Sequence, residues 1–270
     1  MPNDKNDIRA YGNPYTRAAE ATDAYMDVRP SYPREAIALV MEGLPPAAQV
    51  LDIGAGTGKL TAALIAHAQA HAHAHALPET DKPKIWALEP SDDMRAAFAQ
   101  ELPNFPADHL VAGRAEQVPL PPNSIDLITY GQSWHWLDQA QAAAEASRLL
   151  RPHGRVAILV NQLAVEVPWV HRLTRIMRSG DVVRPSDTPA LGSEFTRPEL
   201  CTFDWEDSLT PEQIVSLGTT RASWIRASES QREKMRANLL WYLYEHLSFQ
   251  PNVPVKLPYH TYVWTASDLL

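Results

Sequence analysis

The residues with the clearest chemical meaning are three glycines at alternate positions, which follow an acidic residue at the end of an apolar run. Glycine has no Cβ, so a glycine-rich backbone can turn sharply and come close to a ligand. The pattern predicts a helix from Lys59, and the first N–H groups of a helix are free to bind a polar group. These observations predict a small-molecule site built from backbone. The loop residues are Asp52, Gly54, Ala55, Gly56, Thr57 and Gly58.

The spacing within this glycine loop (residues 52–58) argues against two common phosphate-binding motifs. A dinucleotide site has the pattern G-x-G-x-x-G, and Lys59 stands where the third glycine belongs. A P-loop has Gly-Lys followed by Ser or Thr, and here Leu60 follows the lysine. A nicotinamide-dependent oxidoreductase is therefore kept only as a less favoured alternative.

A second pattern is an alanine-histidine tract. His67, His71 and His75 stand four residues apart in it, which would place them on one face of a helix. One interpretation is a metal site. The other is a low-complexity insertion that lengthens the end of a helix. Because no acid or cysteine completes a set of ligands, the second interpretation is favoured and no metal is expected.

Alternating strands and helices must position these residues. Strands are predicted over residues 49–53, 84–88, 109–112, 124–130 and 155–160, and helices over 59–70, 91–101 and 137–150, with Ser91 as an N-cap. This alternation implies a parallel sheet with helices on both faces. Two further strands are predicted at 203–209 and 259–264. The expected fold is α/β, a Rossmann-like doubly wound sheet of about seven strands, mostly parallel with an antiparallel edge strand.

Three parts of one structural domain are expected. Residues 1–48 would form an N-terminal helical lid, with helices over 16–26 and 31–42. Residues 49–160 would form a ligand-binding core. Residues 161–270 would complete the sheet and add helices at 167–178 and 231–247, with a capping box at 210–213.

Four motifs occur in order along this core. They are the glycine loop, Glu89 directly after the second strand, the loop at 113–120 and the turn at 149–155. With these motifs the chain resembles the class I S-adenosylmethionine-dependent methyltransferases, and the resemblance is good over residues 25–160. Residues 24–25, 29–33 and 132–136 look like the small-molecule branch of that family, which includes the methyltransferase type 11 and trans-aconitate methyltransferase-like proteins.

The resemblance implies that S-adenosyl-L-methionine is the cofactor and S-adenosyl-L-homocysteine its product, so residues 49–160 would be the cofactor-binding core. Glu89 would accept hydrogen bonds from the ribose hydroxyls, the alternative being an acid that interacts with a helix dipole. The glycine loop would pass beneath the amino-acid tail. The other residues implied in cofactor binding are Pro90, Met94, Ala115, Glu116 and Gln132.

The residues expected at the methyl acceptor are Tyr25, Arg29, Tyr32, Trp134 and Trp136. The tryptophans follow the fourth strand, at the edge where open sheets bind ligands, although both are equally well interpreted as core residues. Arg29 would hold an acidic acceptor by bidentate contacts.

His135 is a candidate catalytic residue. A carboxylate acceptor needs no base, whereas a hydroxyl or amine acceptor could use an imidazole of near-neutral pKa. The hypothesis is methyl transfer to a small molecule, including a carboxylate, by in-line displacement in which the protein mainly aligns the reactants and excludes water. A protein of the same fold that binds the cofactor without methyl transfer is the alternative.

Composition narrows the partners. The chain has 270 residues, a formal net charge of −8 and one cysteine, Cys201. The acidic balance disfavours nucleic acid, and no apolar run approaches the roughly 20 residues that span a bilayer. The cysteine count favours a reducing compartment. We therefore expect a cytoplasmic monomer or homodimer whose partner is a small-molecule acceptor, with no nucleic acid and no membrane.

Overall fold

One open sheet organises the protein, seen in a computed structural model that describes residues 28–178 and 183–269. Within these residues the sheet has seven strands in the order β3-β2-β1-β4-β5-β7-β6. Their bounds are β1 (Gln49–Ile53), β2 (Lys84–Leu88), β3 (Leu110–Val111), β4 (Ile125–Gly131), β5 (Leu150–Leu163), β6 (Glu199–Leu209) and β7 (Val255–Ser267). The order reverses between β1 and β4, which is where open α/β sheets bind ligands.

The pairing confirms the expected fold class. Strands β1 to β5 pair in parallel, whereas β7 pairs antiparallel with both β5 and β6. The position of the antiparallel strand differs from the expectation, because β7 lies between β5 and β6, one place inside the edge. Strand β7 occupies this inner position through a long antiparallel pairing with β5. The pairing begins with Arg155 opposite Ser267 and ends with Leu163 opposite Tyr259.

Helices cover both faces of the sheet. Their bounds are α1 (Arg34–Met41), α2 (Lys59–Ala74), α3 (Asp92–Glu101), α4 (Gln139–Leu149), α5 (Pro168–Ile176), α6 (Pro211–Thr219), α7 (Ala222–Ile225) and α8 (Glu229–Leu240). Adjacent residues of β1 point to opposite sides, so Leu51 packs with α4 and Val50 packs with α1 and α2. No described helix has the length and apolar character needed to cross a membrane.

A third apolar cluster lies away from the glycine loop, where α5, α6 and α8 pack together. Val170 and Leu173 of α5, Ile214 of α6 and Leu239 of α8 are all fully buried there. Val28, which precedes α1, joins the same cluster. The chain before α1 and the helices after β5 therefore share one core, which we call the helical cap.

Several boundaries were predicted correctly because local signals mark them. The bounds of β1 and β2 agree with the prediction, Ser91 accepts from Met94 N as the N-cap of α3, and the capping box of Thr210 and Gln213 begins α6. The predicted helix at 16–26 lies outside the described residues. The division into three parts is still a prediction.

Other boundaries were wrong because distant residues set them. β5 begins at Leu150 and runs through Gly154, whereas the glycine was expected to precede the strand. The helix predicted at 231–247 is α8 followed by a π-helical turn, Trp241–His246. The helix α2 continues to Ala74, so the histidine tract extends that helix.

Candidate functional site

The glycine loop leaves β1 in a conformation that most residues avoid. Gly54, Gly56 and Gly58 have φ angles of +71°, +57° and +90°. The backbone N–H groups of Gly54 and Ala55 both donate to Leu88 O, at 2.8 and 3.1 Å, which ties the loop to the end of β2. A Cβ at Gly54 would lie 2.7 Å from the Cβ of Ser133, whereas a Cβ at Gly56 would meet nothing within 4 Å. The loop is therefore packed at its start and open at its middle.

Asp52 anchors the end of β1 by side-chain hydrogen bonds to neighbouring elements. Its carboxylate is 1% exposed and accepts hydrogen bonds from Thr61 Oγ1 at 2.6 Å and Thr129 Oγ1 at 3.2 Å. Burial raises the pKa of Asp52 to about 6, and the nearby charge of Glu89 adds to this rise, while the two hydroxyls oppose it. Asp52 thus connects β1 to α2 and β4 at an electrostatic cost.

Glu89 stands at the end of β2 and faces the open part of the glycine loop. Its Oε2 accepts from Gly56 N at 3.0 Å and its Oε1 from Ser91 N at 2.9 Å. Burial raises the pKa of this carboxyl, and the backbone hydrogen bonds and Arg95 counteract the rise. Each oxygen of a carboxylate accepts two hydrogen bonds, so each has one acceptor position left for a ligand.

A cavity of about 520 Å³ lies between the glycine loop and the ends of β2 and β4. Eleven of the twelve residues expected at the cofactor line it. They are Asp52, Gly54, Ala55, Gly56, Thr57, Glu89, Pro90, Met94, Ala115, Glu116 and Gln132. Gly58 does not line it, because it packs against α3, where a Cβ would come within 2.9 Å of Phe98 and Leu102.

The same cavity reaches the N-terminal segment. Arg29, Tyr32 and Trp136 line it, as expected for acceptor residues. Arg29 Nη2 donates to Thr220 O at 2.6 Å, so this side chain bridges to the helical cap. The guanidinium of Arg226 lies 5.7 Å from the centre of the Trp136 ring. Tyr25 lies outside the described residues.

Two expected site residues are placed elsewhere. Trp134 is 4% exposed in the core, edge-to-face with Tyr130 at 4.8 Å between ring centroids. His135 is half-buried beside Trp136 and does not line the cavity. Burial and the positive charge of Arg29 lower the pKa of His135 to about 4. The ring is therefore unprotonated and weakly basic at neutral pH, and its catalytic role stays a prediction.

One residue at the cavity was not expected from the sequence. Asn161 is 7% exposed and lines the cavity where β4 and β5 end. Its Nδ2 donates to Ser31 O at 2.8 Å, and its Oδ1 accepts from Thr261 Oγ1 at 2.6 Å. Its backbone oxygen accepts from Gln132 Nε2 at 2.8 Å. The available signal was its place directly after the predicted fifth strand, at the carboxyl edge of the sheet.

Metal chemistry has no candidate in the histidine tract. The ring centroids of His67 and His71 are 6.3 Å apart, and those of His71 and His75 are 4.3 Å apart. Across residues 28–178 and 183–269, no group of three or more His, Cys, Asp or Glu side chains is arranged to hold a metal ion.

Comparison with known proteins identifies the family. Residues 51–158 match the family model of a methyltransferase domain. The uncharacterized methyltransferase Rv3342 of Mycobacterium tuberculosis is 35% identical over 243 residues, covering 89% of this chain and 91% of the relative. A shorter match, 34% identical over 114 residues, covers 42% of this chain and 37% of a malonyl-(acyl-carrier protein) O-methyltransferase of Methylococcus capsulatus.

The fold agrees with that match. A proposed type II methyltransferase of Anaeromyxobacter dehalogenans superposes with a TM-score of 0.59 at 19% identity, over 88% of this chain and 97% of the other. The mycobacterial relative is similar in sequence over nearly its whole length, and the strand order and the glycine loop at the end of β1 agree with the same family. The chain therefore belongs to the class I S-adenosylmethionine-dependent methyltransferases.

Proposed function

We propose that this methyltransferase binds S-adenosylmethionine along the glycine loop and Glu89, and transfers its methyl group to a small carboxylate held near Arg29. The observation that carries the proposal is one continuous cavity of about 520 Å³, which joins the residues expected at the cofactor to Arg29, Tyr32 and Trp136. Donor and acceptor would then meet in the same cavity.

The residues present fit the cofactor. The spare acceptor positions of Glu89 suit the two ribose hydroxyls, and Ala115 and Glu116, which line the same cavity, would contact the adenine. The middle of the glycine loop is open above Gly56. Thr57 Oγ1 is buried and has no hydrogen-bond partner among the described residues, which is costly unless a ligand supplies one.

The acceptor side supports an anion. Arg29 brings a permanent positive charge to the cavity wall, and Trp136 and Leu137 supply apolar surface beside it. One relative is named for O-methylation of a malonyl group, which carries a free carboxylate. We therefore favour a carboxylate over an amine or hydroxyl as the acceptor.

The chemistry asks little of the protein beyond position. S-adenosylmethionine supplies a methyl group bonded to a sulfonium sulfur. When the methyl group is transferred, the remaining neutral thioether is a good leaving group. Arg29 would orient the acceptor carboxylate, and the apolar walls would exclude water, so that the acceptor oxygen stands in line with the bond that breaks. A carboxylate attacks in its ionised form, so no group has to remove a proton. The low pKa of His135 is consistent with this scheme, because a base is not required.

Calorimetric titration with S-adenosylhomocysteine tests the cofactor site. Glu89→Ala removes two charge-assisted hydrogen bonds, each worth about 1.5–3 kcal/mol, so we expect affinity to fall by about 100-fold or more. Glu233→Ala, at an exposed position on α8, is the matched control and should bind like the wild type. Equal affinity of the Glu89 variant and the wild type would remove the ribose assignment.

A panel of acceptors tests the proposal that the methyl group is transferred to a carboxylate. Methyl transfer from labelled S-adenosylmethionine would be measured with small mono-, di- and tricarboxylates and with the matching amides and alcohols. We expect carboxylates to be methylated and Arg29→Gln to raise their KM. Methylation of the amides or alcohols alone would show that the carboxylate assignment is wrong and leave the cofactor site standing.

A further inference from the structure

A second concave site lies on the helical cap. A groove of about 520 Å³ runs between α5 and α8, and its polar lining is almost entirely basic. The polar residues that line it are His171, Arg172, Arg175, Arg178 and Asn238. It shares no lining residue with the cavity at the glycine loop.

The arginines of this groove differ from those that pair with acids elsewhere in the protein. Arg148 pairs with Glu145, and Arg151 pairs with Asp126. In the part of the chain that the structure describes, Arg172, Arg175 and Arg178 form no ion pair with a carboxylate. Within the described residues, the three guanidinium groups that line this groove are therefore without a carboxylate in ion-pair distance, although like charges close together repel one another.

The basic side chains are mounted on a rigid support. The opposite face of α5 is buried through Val170 and Leu173. The guanidinium of Arg172 lies 5.9 Å from the Trp241 ring centre and 5.5 Å from that of Tyr242, within the range of cation–π attraction. Tyr242 is itself held by a hydrogen bond from its hydroxyl to Trp169 O at 2.9 Å. At least one guanidinium is therefore positioned before any ligand arrives.

We propose that this groove is a second ligand site that binds a multiply charged phosphate group, carried by a soluble phosphate compound or by a lipid headgroup. A guanidinium group can bind two oxygens of one phosphate through two parallel N–H donors. Arg172 and Arg175 lie about one turn apart on α5, and Arg178 follows the end of the helix. Together they offer such donors to one groove, and Asn238 adds an amide.

Titration with tripolyphosphate at low and moderate salt tests the site. The wild type should bind, and its affinity should fall as salt rises because the contacts are ionic. The double variant Arg175→Gln/Arg178→Gln should bind at least about tenfold more weakly. The control Arg34→Gln/Lys84→Gln removes the same charge from two exposed positions outside the groove and should stay within about twofold of the wild type. Equal losses in the two double variants would overturn the proposal.

Vesicle sedimentation separates the two sources of phosphate. Vesicles of phosphatidylcholine alone and with added phosphatidic acid would be compared in the presence and absence of tripolyphosphate. Binding to the anionic vesicles that tripolyphosphate displaces supports a lipid headgroup, and binding of tripolyphosphate without vesicle binding supports a soluble ligand. Binding of neither probe by the wild type overturns the site. Affinity for S-adenosylhomocysteine should be unchanged in the groove variants, which shows that they are folded.

Discussion

The two sides of the cavity at the glycine loop are assembled in different ways. On the glycine-loop side, Glu89 joins Gly56 and Ser91, which are 33 and 2 residues away in sequence. On the Arg29 side, the joining hydrogen bonds span 191 residues from Arg29 to Thr220 and 130 residues from Ser31 to Asn161. Even with the hydrogen bond from Thr129 to Asp52, which spans 77 residues, the glycine-loop side is therefore joined over shorter stretches of the chain. The other exists only when distant parts of the chain have come together.

This difference teaches where variation can be tolerated. The glycine-loop side is fixed by backbone geometry and buried carboxylates, so small changes there should remove cofactor binding. The Arg29 side depends on a few side-chain hydrogen bonds between segments. Changes there should alter the acceptor while cofactor affinity is kept.

The largest expected effect is at the start of the glycine loop. Gly54→Ala places a Cβ 2.7 Å from the Ser133 Cβ at a φ of +71°, and we expect strain and overpacking to cost roughly 4 kcal/mol together. Calorimetry with S-adenosylhomocysteine and thermal unfolding should show weak binding and a lower Tm. Gly43→Ala, with a φ of +69° and nothing within 4 Å of the new Cβ, separates the two causes. A similar loss in both variants would contradict a clash with Ser133.

The next effect is the pH dependence of stability on the same side. Because burial raises the pKa of Asp52 from 3.8 to about 6, the folded state keeps a proton that the unfolded state has lost between these values. The free energy of unfolding should therefore be highest below about pH 4 for this group and fall as pH rises to about 6, by on the order of 3 kcal/mol.

Urea unfolding at pH 5 and pH 7 measures this dependence. Asp52→Asn has no proton to lose, so the fall between the two pH values should be smaller than in the wild type. Part of the fall should remain in the variant, because burial raises the pKa of Glu89 in the same direction. An identical fall in wild type and variant would rule out Asp52 as its source.

On the Arg29 side, Asn161→Asp removes the amide that donates to Ser31 O at 2.8 Å and puts a carboxylate against that carbonyl. Loss of one such buried hydrogen bond costs about 1–3 kcal/mol. We expect KM for the best carboxylate acceptor to rise about tenfold and affinity for S-adenosylhomocysteine to change less than about threefold. Asn104→Asp, at an exposed position, controls for the added charge. A loss of cofactor affinity as large as the rise in KM would contradict the division between the two sides.

The smallest effects distinguish the two tryptophans after β4. Trp134→Phe shortens a core side chain, so we expect a loss of about 1 kcal/mol in stability with unchanged acceptor kinetics. Trp136→Phe changes the cavity wall, and it should raise acceptor KM by a few-fold with little change in Tm. Steady-state kinetics and thermal unfolding of both variants provide the measurement. A rise in acceptor KM for Trp134→Phe together with a loss of stability for Trp136→Phe would contradict the assignment of Trp134 to the core and Trp136 to the cavity wall.

Sequence patterns predicted the features that neighbouring residues determine. Strands β1 and β2, the cap at Ser91 and the glycine loop follow from apolar runs, capping residues and glycine spacing. The other positions that line the glycine-loop side, such as Glu89 and Ala115, were expected only from the resemblance to the family. Gly58 was expected at the cofactor but does not line the cavity, because it lies at the start of α2 and packs against Phe98 and Leu102. Glycine spacing alone does not reveal this contact.

Features determined by distant partners were not predictable in this way. Nothing in the residues around Asn161 indicates that Ser31 and Thr261 will meet it. The two tryptophans stand on either side of His135 in the sequence. Only the geometry of the short turn Trp134–Trp136 decides which of them enters the core. The full length of β5 depends on β7, which lies about a hundred residues further along the chain.

The inner position of β7 also bears on how the molecule is made. Strand β6 is synthesised before β7, yet its pairing in the sheet is with β7 alone, over eleven residue pairs from Glu199 to Leu209. Until Val255–Ser267 has been synthesised and released, β6 has no sheet to join, and the open edge of β5 offers unpaired backbone groups to other chains. Such non-local pairing is slow. Nascent chains of this enzyme should therefore be most prone to aggregate just before β7 emerges, and a chaperone that shields β5 during that interval should raise the yield of folded protein.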